Sequence, residues 1–144
     1  MKLKVKKLVK PRKSFNVISQ TVFFNVTPHQ VYDAFLDVKK HSEFTGYKAT
    51  GIPSKVNGKF ITNDGYSFGR TLKLKKDKLI VQEWKTTEWP EDYPYSTLKI
   101  VLIKSDGGTK LVFTQTKVPS SQSKNYSEGW KKYYWLKLKK YLKA

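Results

Sequence analysis

The stretch SQSKNYSEGWKKYYWLKLKKYL, residues 121–142, runs for about six helical turns without a proline, and its apolar residues recur at helical spacing. With Trp130 at zero on a wheel of about 100° per residue, Tyr126, Tyr133, Tyr134, Leu138 and Tyr141 lie within about 80° of it, whereas Glu128, Lys132, Lys139 and Lys143 lie on the far side. The spacing predicts one long amphipathic helix with an aromatic buried face. Two residues disturb it. Gly129 costs about 1 kcal/mol relative to alanine in an exposed helix interior, and Lys137 falls inside the apolar arc. A face this wide needs a broad partner, which the chain upstream supplies.

There the hydrophobic period is two. Residues 14–25, SFNVISQTVFFN, put Phe15, Val17 and Phe23 on one side of a strand and Ile18, Val22 and Phe24 on the other. The strand stops at VTPHQ. Thr27 is a helix N-cap, Pro28 fits the first helical position, and Gln30 completes a capping box. Val31, Ala34, Phe35 and Val38 follow at helical spacing, and a second short helical turn over Lys39 to Phe44 ends near Gly46. Strands are then expected at Tyr47 to Thr50, Lys59 to Thr62, Tyr66 to Leu74, Lys78 to Lys85, Thr97 to Ile103 and Thr109 to Val118. Pro53, Asn57-Gly58, Asp64-Gly65, Lys76-Asp77 and Asp106-Gly107-Gly108 punctuate them with residues that tight turns use. The sum is an α+β domain: a curved antiparallel sheet of six to seven strands wrapped around the C-terminal helix, with two short helices after strand one. One cylinder cannot fill the inside of a curved sheet, so a cavity is expected between them.

Composition bounds the chemistry. At 144 residues there is room for one domain, and 38% hydrophobic with 15% aromatic residues is enough to build a core despite the charge. The absence of cysteine removes disulfides, thiolate nucleophiles and sulfur-ligated metals. No apolar run approaches the roughly 18 to 20 residues of a membrane span, which makes a cytoplasmic protein the expectation. The net charge of +18 is mostly lysine, since Arg12 and Arg70 are the only arginines. Lysine is a hydrated point charge, whereas arginine reads bases and phosphates with a rigid fork, so the excess points to general attraction to polyanions rather than to specific nucleic-acid recognition. Residues 1–14 hold seven basic residues and no acid, and read as a basic N-terminal arm ahead of a single domain at 15–144.

Several motifs occur in a telling order: FNVTPHQVYDAFLDVKKHSEFTG (24–46), VNGKF (56–60), DGYSFGR (64–70), IVQEW (80–84), WPEDYPYSTL (89–98), GGTKLVFTQTKVP (107–119) and SEGWKKYYWLKLKKYL (127–142). Together they resemble the family of homologues of the activator of the heat shock protein 90 ATPase, a branch of the START-like (SRPBCC) superfamily with the helix-grip fold, over about residues 15–142. The resemblance implies a non-enzymatic co-chaperone, a module that interacts with an acidic protein such as a chaperone. The wider superfamily implies instead a carrier or sensor of a small hydrophobic ligand between sheet and helix, and more remotely a polyketide-cyclase type of enzyme.

Among individual residues, His29 and His41 begin the two short helices and read as solvated, and Glu88, Glu91 and Asp92 read as a solvated acidic turn, so no catalytic residue is assigned. Neither a metal-ligand cluster nor a glycine-rich phosphate loop is present in the sequence, and no cofactor is assigned. The candidate ligand-cavity residues are Phe60, Tyr66, Arg70, Trp84, Trp89, Tyr126, Trp130, Tyr134 and Lys137. Tyrosine and tryptophan bring polar tips that suit a pocket wall, although an ordinary core would use the same residues. In a regular strand Arg70 shares a face with Tyr66, Phe68, Leu72 and Leu74, where a buried cation needs Glu83 or an acidic ligand group, unless a bulge at Gly69 turns it outward. Lys137 either points inward to such a group or snorkels to the helix edge.

Overall fold

The first strand, β1 (Phe15–Phe24), buries Ile18, Gln20 and Phe24 on one face and leaves Val17, Ser19 and Phe23 exposed on the other, as the alternation demands. These assignments come from a computed structural model that describes residues 12–144; the expectation of a basic arm falls largely outside them. Helix α1 (Pro28–Leu36) opens with the capping box, the Gln30 amide donating to the Thr27 hydroxyl and the Thr27 amide to the Gln30 side chain. Asp37 ends α1 and caps α2 (Val38–Thr45), and Gly46, in the left-handed region at φ 82°, closes it.

Strands β2 (Thr50–Gly51), β3 (Lys59–Thr62), β4 (Ser67–Lys75), β5 (Leu79–Thr86), β6 (Ser96–Ser105) and β7 (Gly108–Pro119) complete the sheet. All seven are antiparallel, in the order β1-β7-β6-β5-β4-β3-β2. The hairpins follow their turn residues. Asp106 and Gly107, both at positive φ, form the two-residue loop between Ser105 and Gly108, and Asp77 at φ 62° turns β4 into β5. The strand expected over Tyr47 to Thr50 is shorter in the structure. Side chains capture its backbone: the amides of Tyr47, Lys48 and Ala49 donate to Thr45 Oγ1, Asp64 Oδ1 and Ser42 Oγ, leaving two residues to pair with β3.

The C-terminal helix runs through α3 (Ser123–Gly129), a π turn (Trp130–Trp135) and α4 (Leu136–Leu142), with helical backbone throughout. It lies against the concave face of the sheet, so the fold is the expected helix grip. The π turn corrects the helical wheel. An i→i+5 turn absorbs one extra residue, which rotates everything after it. Tyr133 and Tyr141, expected inside, are 47% and 36% exposed, whereas Trp135, which the wheel leaves outside the arc, is 2% exposed and stacks on Trp130 with ring centroids 5.7 Å apart.

Candidate functional site

The concave face of the sheet is not uniformly apolar. A band of small and polar side chains faces the helix, including Gln20 of β1, Thr71 of β4, Gln82 of β5, Ser96 of β6 and Gln115 of β7. Each has a partner, as burial requires. The indole N–H of Trp130 donates to Gln115 Oε1 at 2.8 Å, and that of Trp135 to Gln20 Oε1 at 2.7 Å. Gln115 donates onward to Ser96 and Gln20 to the carbonyl of Ser127. Two tryptophans are thus fixed in rotation by two glutamines of the sheet. Both glutamines lie on the inward phase of their strands, the signal that would have found them.

Toward the β3–β4 end the helix and sheet diverge and leave a cavity of about 290 Å³, lined by Trp84, Tyr66, Asn63 and Tyr47 on one side and Tyr126, Gly129, Trp130, Tyr133 and Tyr134 on the other. Five of the nine residues expected from sequence stand in this wall: Tyr66, Trp84, Tyr126, Trp130 and Tyr134. Their rings interlock, Trp84 meeting Tyr126 edge-on at 5.5 Å and Trp130 at 5.3 Å. Phe60 and Trp89 stand behind it. Phe60 borders a hole of about 10 Å³ beyond Trp84 and Tyr134, too small for more than one water. Trp89 packs on Trp84 and Tyr126 from the proline loop, its N–H donating to the Pro94 carbonyl.

Two expected cavity residues lie elsewhere. Arg70 points from the outer face of the sheet, half-exposed, with its guanidinium 3.4 Å from Glu83 and near Asn57. The reason is the phase of β4, whose inward positions are Ser67, Gly69 and Thr71, while Phe68, Arg70 and Leu72 look outward. The bulge lies between Thr71 and Lys73, after Arg70. Lys137 reaches sideways to the Thr45 carbonyl at 2.9 Å, at the C-terminus of α2, with the rings of Tyr47 and Tyr133 beside its ammonium. It therefore sits near the mouth of the cavity, outside the lining.

His41 is the main correction among the polar residues. It is 4% exposed, because α2 turns that side toward Phe35, Phe44 and Tyr134. Its Nδ1 lies 2.8 Å from the Phe35 carbonyl, which can only accept, so Nδ1 carries the proton. Nε2 then accepts from the Tyr134 hydroxyl at 2.9 Å, and that hydroxyl accepts from the Asn63 amide at 3.0 Å. Burial pushes the imidazole down to about 4, the bond to Phe35 opposing in part, and burial pushes the Tyr134 phenol up to about 12. The relay ties α2, the C-terminal helix and the β3–β4 turn together at the cavity wall, with every member neutral at pH 7. Tyr66 closes the opposite lip, its hydroxyl donating to Glu88 at 2.6 Å; burial first, then that carboxylate, raises its phenol. His29 remains exposed and pairs with Asp77. No group of three or more potential metal ligands occurs among the described residues, and none of the described helices is long and apolar enough to cross a membrane.

A seven-stranded antiparallel sheet closed over one long helix, with an aromatic cavity between them, defines a helix-grip protein. The family model described as "Activator of Hsp90 ATPase homolog 1-like protein" matches residues 25–143, and the chain belongs to that family. The Homo sapiens protein named Activator of 90 kDa heat shock protein ATPase homolog 1 is 29% identical over 111 residues, which are 77% of this chain and 32% of that protein. The Mus musculus homolog 2 is 26% identical over 119 residues, 83% of this chain and 35% of that one. The chain thus corresponds to about a third of the length of these relatives. Among solved structures, an HSP90 activator from Plasmodium falciparum superposes with a TM-score of 0.79 at 26% identity, covering 88% of this chain and 95% of that chain. A protein from Mesorhizobium loti shares the fold with a TM-score of 0.75 at 19% identity, covering 89% and 97%.

Proposed function

We propose that the chain is a non-enzymatic interaction module that docks on an Hsp90-type chaperone and raises its ATPase rate. The observation that carries this reading is the family match across residues 25–143, which takes in α1, α2, six strands and the C-terminal helix. The chemistry of the molecule agrees with it. Its charge of +18 favours an acidic partner, and the polar groups of the cavity wall are engaged with one another rather than turned toward a substrate. The test is the ATPase rate of a purified Hsp90-type chaperone from the same host, measured with increasing amounts of the protein. A dose-dependent rise with direct binding is expected; neither binding nor a change of rate defeats the reading.

The cavity favours a second reading, a carrier of one compact ligand. A volume of about 290 Å³ is at the lower end of ligand sites, suits a small aromatic or apolar molecule, and is too small for a two-chain lipid. Lys137 near the mouth would favour an acidic end. Titration with short fatty acids and aromatic carboxylates, followed by tryptophan fluorescence and melting temperature, tests it; Trp84 and Trp130 in the wall make emission a direct reporter, and silence in both readouts removes the carrier.

A further inference from the structure

The two edges of the sheet are unlike. At one, β2 is only Thr50–Gly51; at the other, β1 is ten residues long, and among the described residues no strand pairs with its outer side. Natural sheets blunt such edges with lysine, with proline or by keeping the strand short. β1 uses none of these. Its sequence FNVISQTVFF has no charge and no proline, in a chain with 29 basic residues, and the irregularity between Asn16 and Ile18 leaves Ile18 to Phe24 in unbroken register with β7. The outward backbone groups of that run are a template for one more strand.

Beside this edge lies a groove of about 510 Å³, between Gln20 and Val22 of β1 and the row Lys131, Trp135, Leu136 and Lys139 of the C-terminal helix. Trp135 is its floor, held by Gln20, and Leu136 is 63% exposed above it. Lys131 and Lys139 form the rim, and the only carboxylate on the whole helix is Glu128. We infer that the edge of β1, unpaired among the described residues, and this groove form a docking site for an extended acidic segment of a partner protein, which joins the sheet as an eighth strand. Charge selects the occupant. A second copy would bring +18 against +18, and residues 1–11 would bring five lysines and no acid. A strand alternating acidic and apolar side chains sets its carboxylates against Lys131 and Lys139 on the helix side and its apolar groups along Thr21 and Phe23 on the other. The inference rests on the interaction reading for the partner's identity and on the edge alone for its geometry.

The probe is the acetylated peptide Glu-Val-Glu-Val-Glu-Val-Glu, titrated into the full chain with backbone amide NMR at low salt. Shifts and slowed amide exchange are expected along Ile18 to Phe24 and residues 131–139. Methylating alternate amide nitrogens of the peptide, in either phase, should weaken binding about tenfold in the phase that faces β1, and Lys131→Glu with Lys139→Glu should do the same while leaving the circular dichroism unchanged. Shifts centred elsewhere, or indifference to both methylated peptides, would overturn the site. So would outward amides of β1 that are already protected in the free chain, a dimer in sedimentation then pointing to a second copy and a monomer to the chain's own N-terminal residues. A chain that stimulates the chaperone but ignores the peptide loses the edge and keeps the interaction reading; one that binds the peptide but not the chaperone does the reverse.

Discussion

Tyr134 shows how one side chain serves both packing and polarity. Its ring sits 4.6 Å from that of Trp130, while its hydroxyl is the middle of the relay from His41 to Asn63. Tyr134→Phe keeps the ring and removes the hydroxyl, leaving a buried imidazole nitrogen without a donor. A loss of about 1–3 kcal/mol is expected in urea unfolding, with little change in the fold. Trp130→Ala is harsher, since Trp130 is 3% exposed; about 3–5 kcal/mol is expected, enough to unfold a marginal domain. His41 also gives stability a pH dependence. Its folded value of about 4 lies below the ordinary 6.5, so the folded state resists the proton that the unfolded chain accepts. The contribution is complete above pH 6.5 and is lost as pH falls toward 4, up to about 3 kcal/mol across that window. Unfolding free energies at pH 7, 6 and 5 check this, and His41→Asn should flatten the fall relative to the parent; an equal slope in both proteins would put the proton elsewhere. None of this was legible in the sequence, because a histidine near a helix start is usually solvated and only the turn of α2 against the long helix buries this one.

At the scale of elements the C-terminal helix carries the main lesson. Its buried residues Trp130, Tyr134, Trp135 and Leu138 stand at i, i+4, i+5 and i+8, which a regular α-helix at about 100° per residue would spread over an arc of about 140° with Trp135 at its edge. Remove one residue from the π turn and they read i, i+3, i+4 and i+7, the pattern of an ordinary amphipathic helix. Deleting Lys132, which is exposed, should therefore leave a folded protein, whereas deleting Ser127 from α3 should rotate Tyr126 out of phase with Trp130 and unfold it. Circular dichroism and melting of the two deletions decide the matter; equal damage in both would mean that the π turn is not an accommodated insertion. Gly129 offers a gentler change in the same helix. It has helical backbone, and a Cβ there would meet Tyr133 at an ordinary 3.8 Å, so Gly129→Ala should gain about 0.4–1 kcal/mol and slightly narrow the cavity. Elements with a local code were legible: the capping box at Thr27 and Gln30, the Asp106-Gly107 hairpin and the alternation of β1 need no tertiary knowledge. Trp135, the short β2 and the outward Arg70 were not, since each depends on a bulge, a side-chain capture or an inward-facing polar strand position that period counting assigns to the solvent.

The whole molecule is governed by an excess of one charge. Among the described residues the structure pairs Lys40 with Asp33 and Arg70 with Glu83, but with 29 basic and 11 acidic residues most lysines have no carboxylate to meet. The folded state gathers that charge into a small volume, so self-repulsion opposes folding, while the same field draws in acidic partners. Salt acts on both through one length. Between about 0.01 M and 0.15 M the screening distance contracts from about 30 Å to about 8 Å, which relieves repulsion across the surface and shortens the reach toward a partner. Melting temperature should therefore rise over this range while affinity for an acidic partner falls, opposite trends from a single cause. Removing charge should reduce both. Lys73→Gln with Lys99→Gln, two exposed positions that flank Val81 on the outer face of the sheet, away from the cavity and from β1, should raise the low-salt melting temperature and weaken the salt dependence of each property. Calorimetry and a binding titration at both salt concentrations read the two slopes. A melting temperature that falls with salt would mean that attractive ion pairs outweigh the net charge, and the account of the surface as a general polycation would have to be given up.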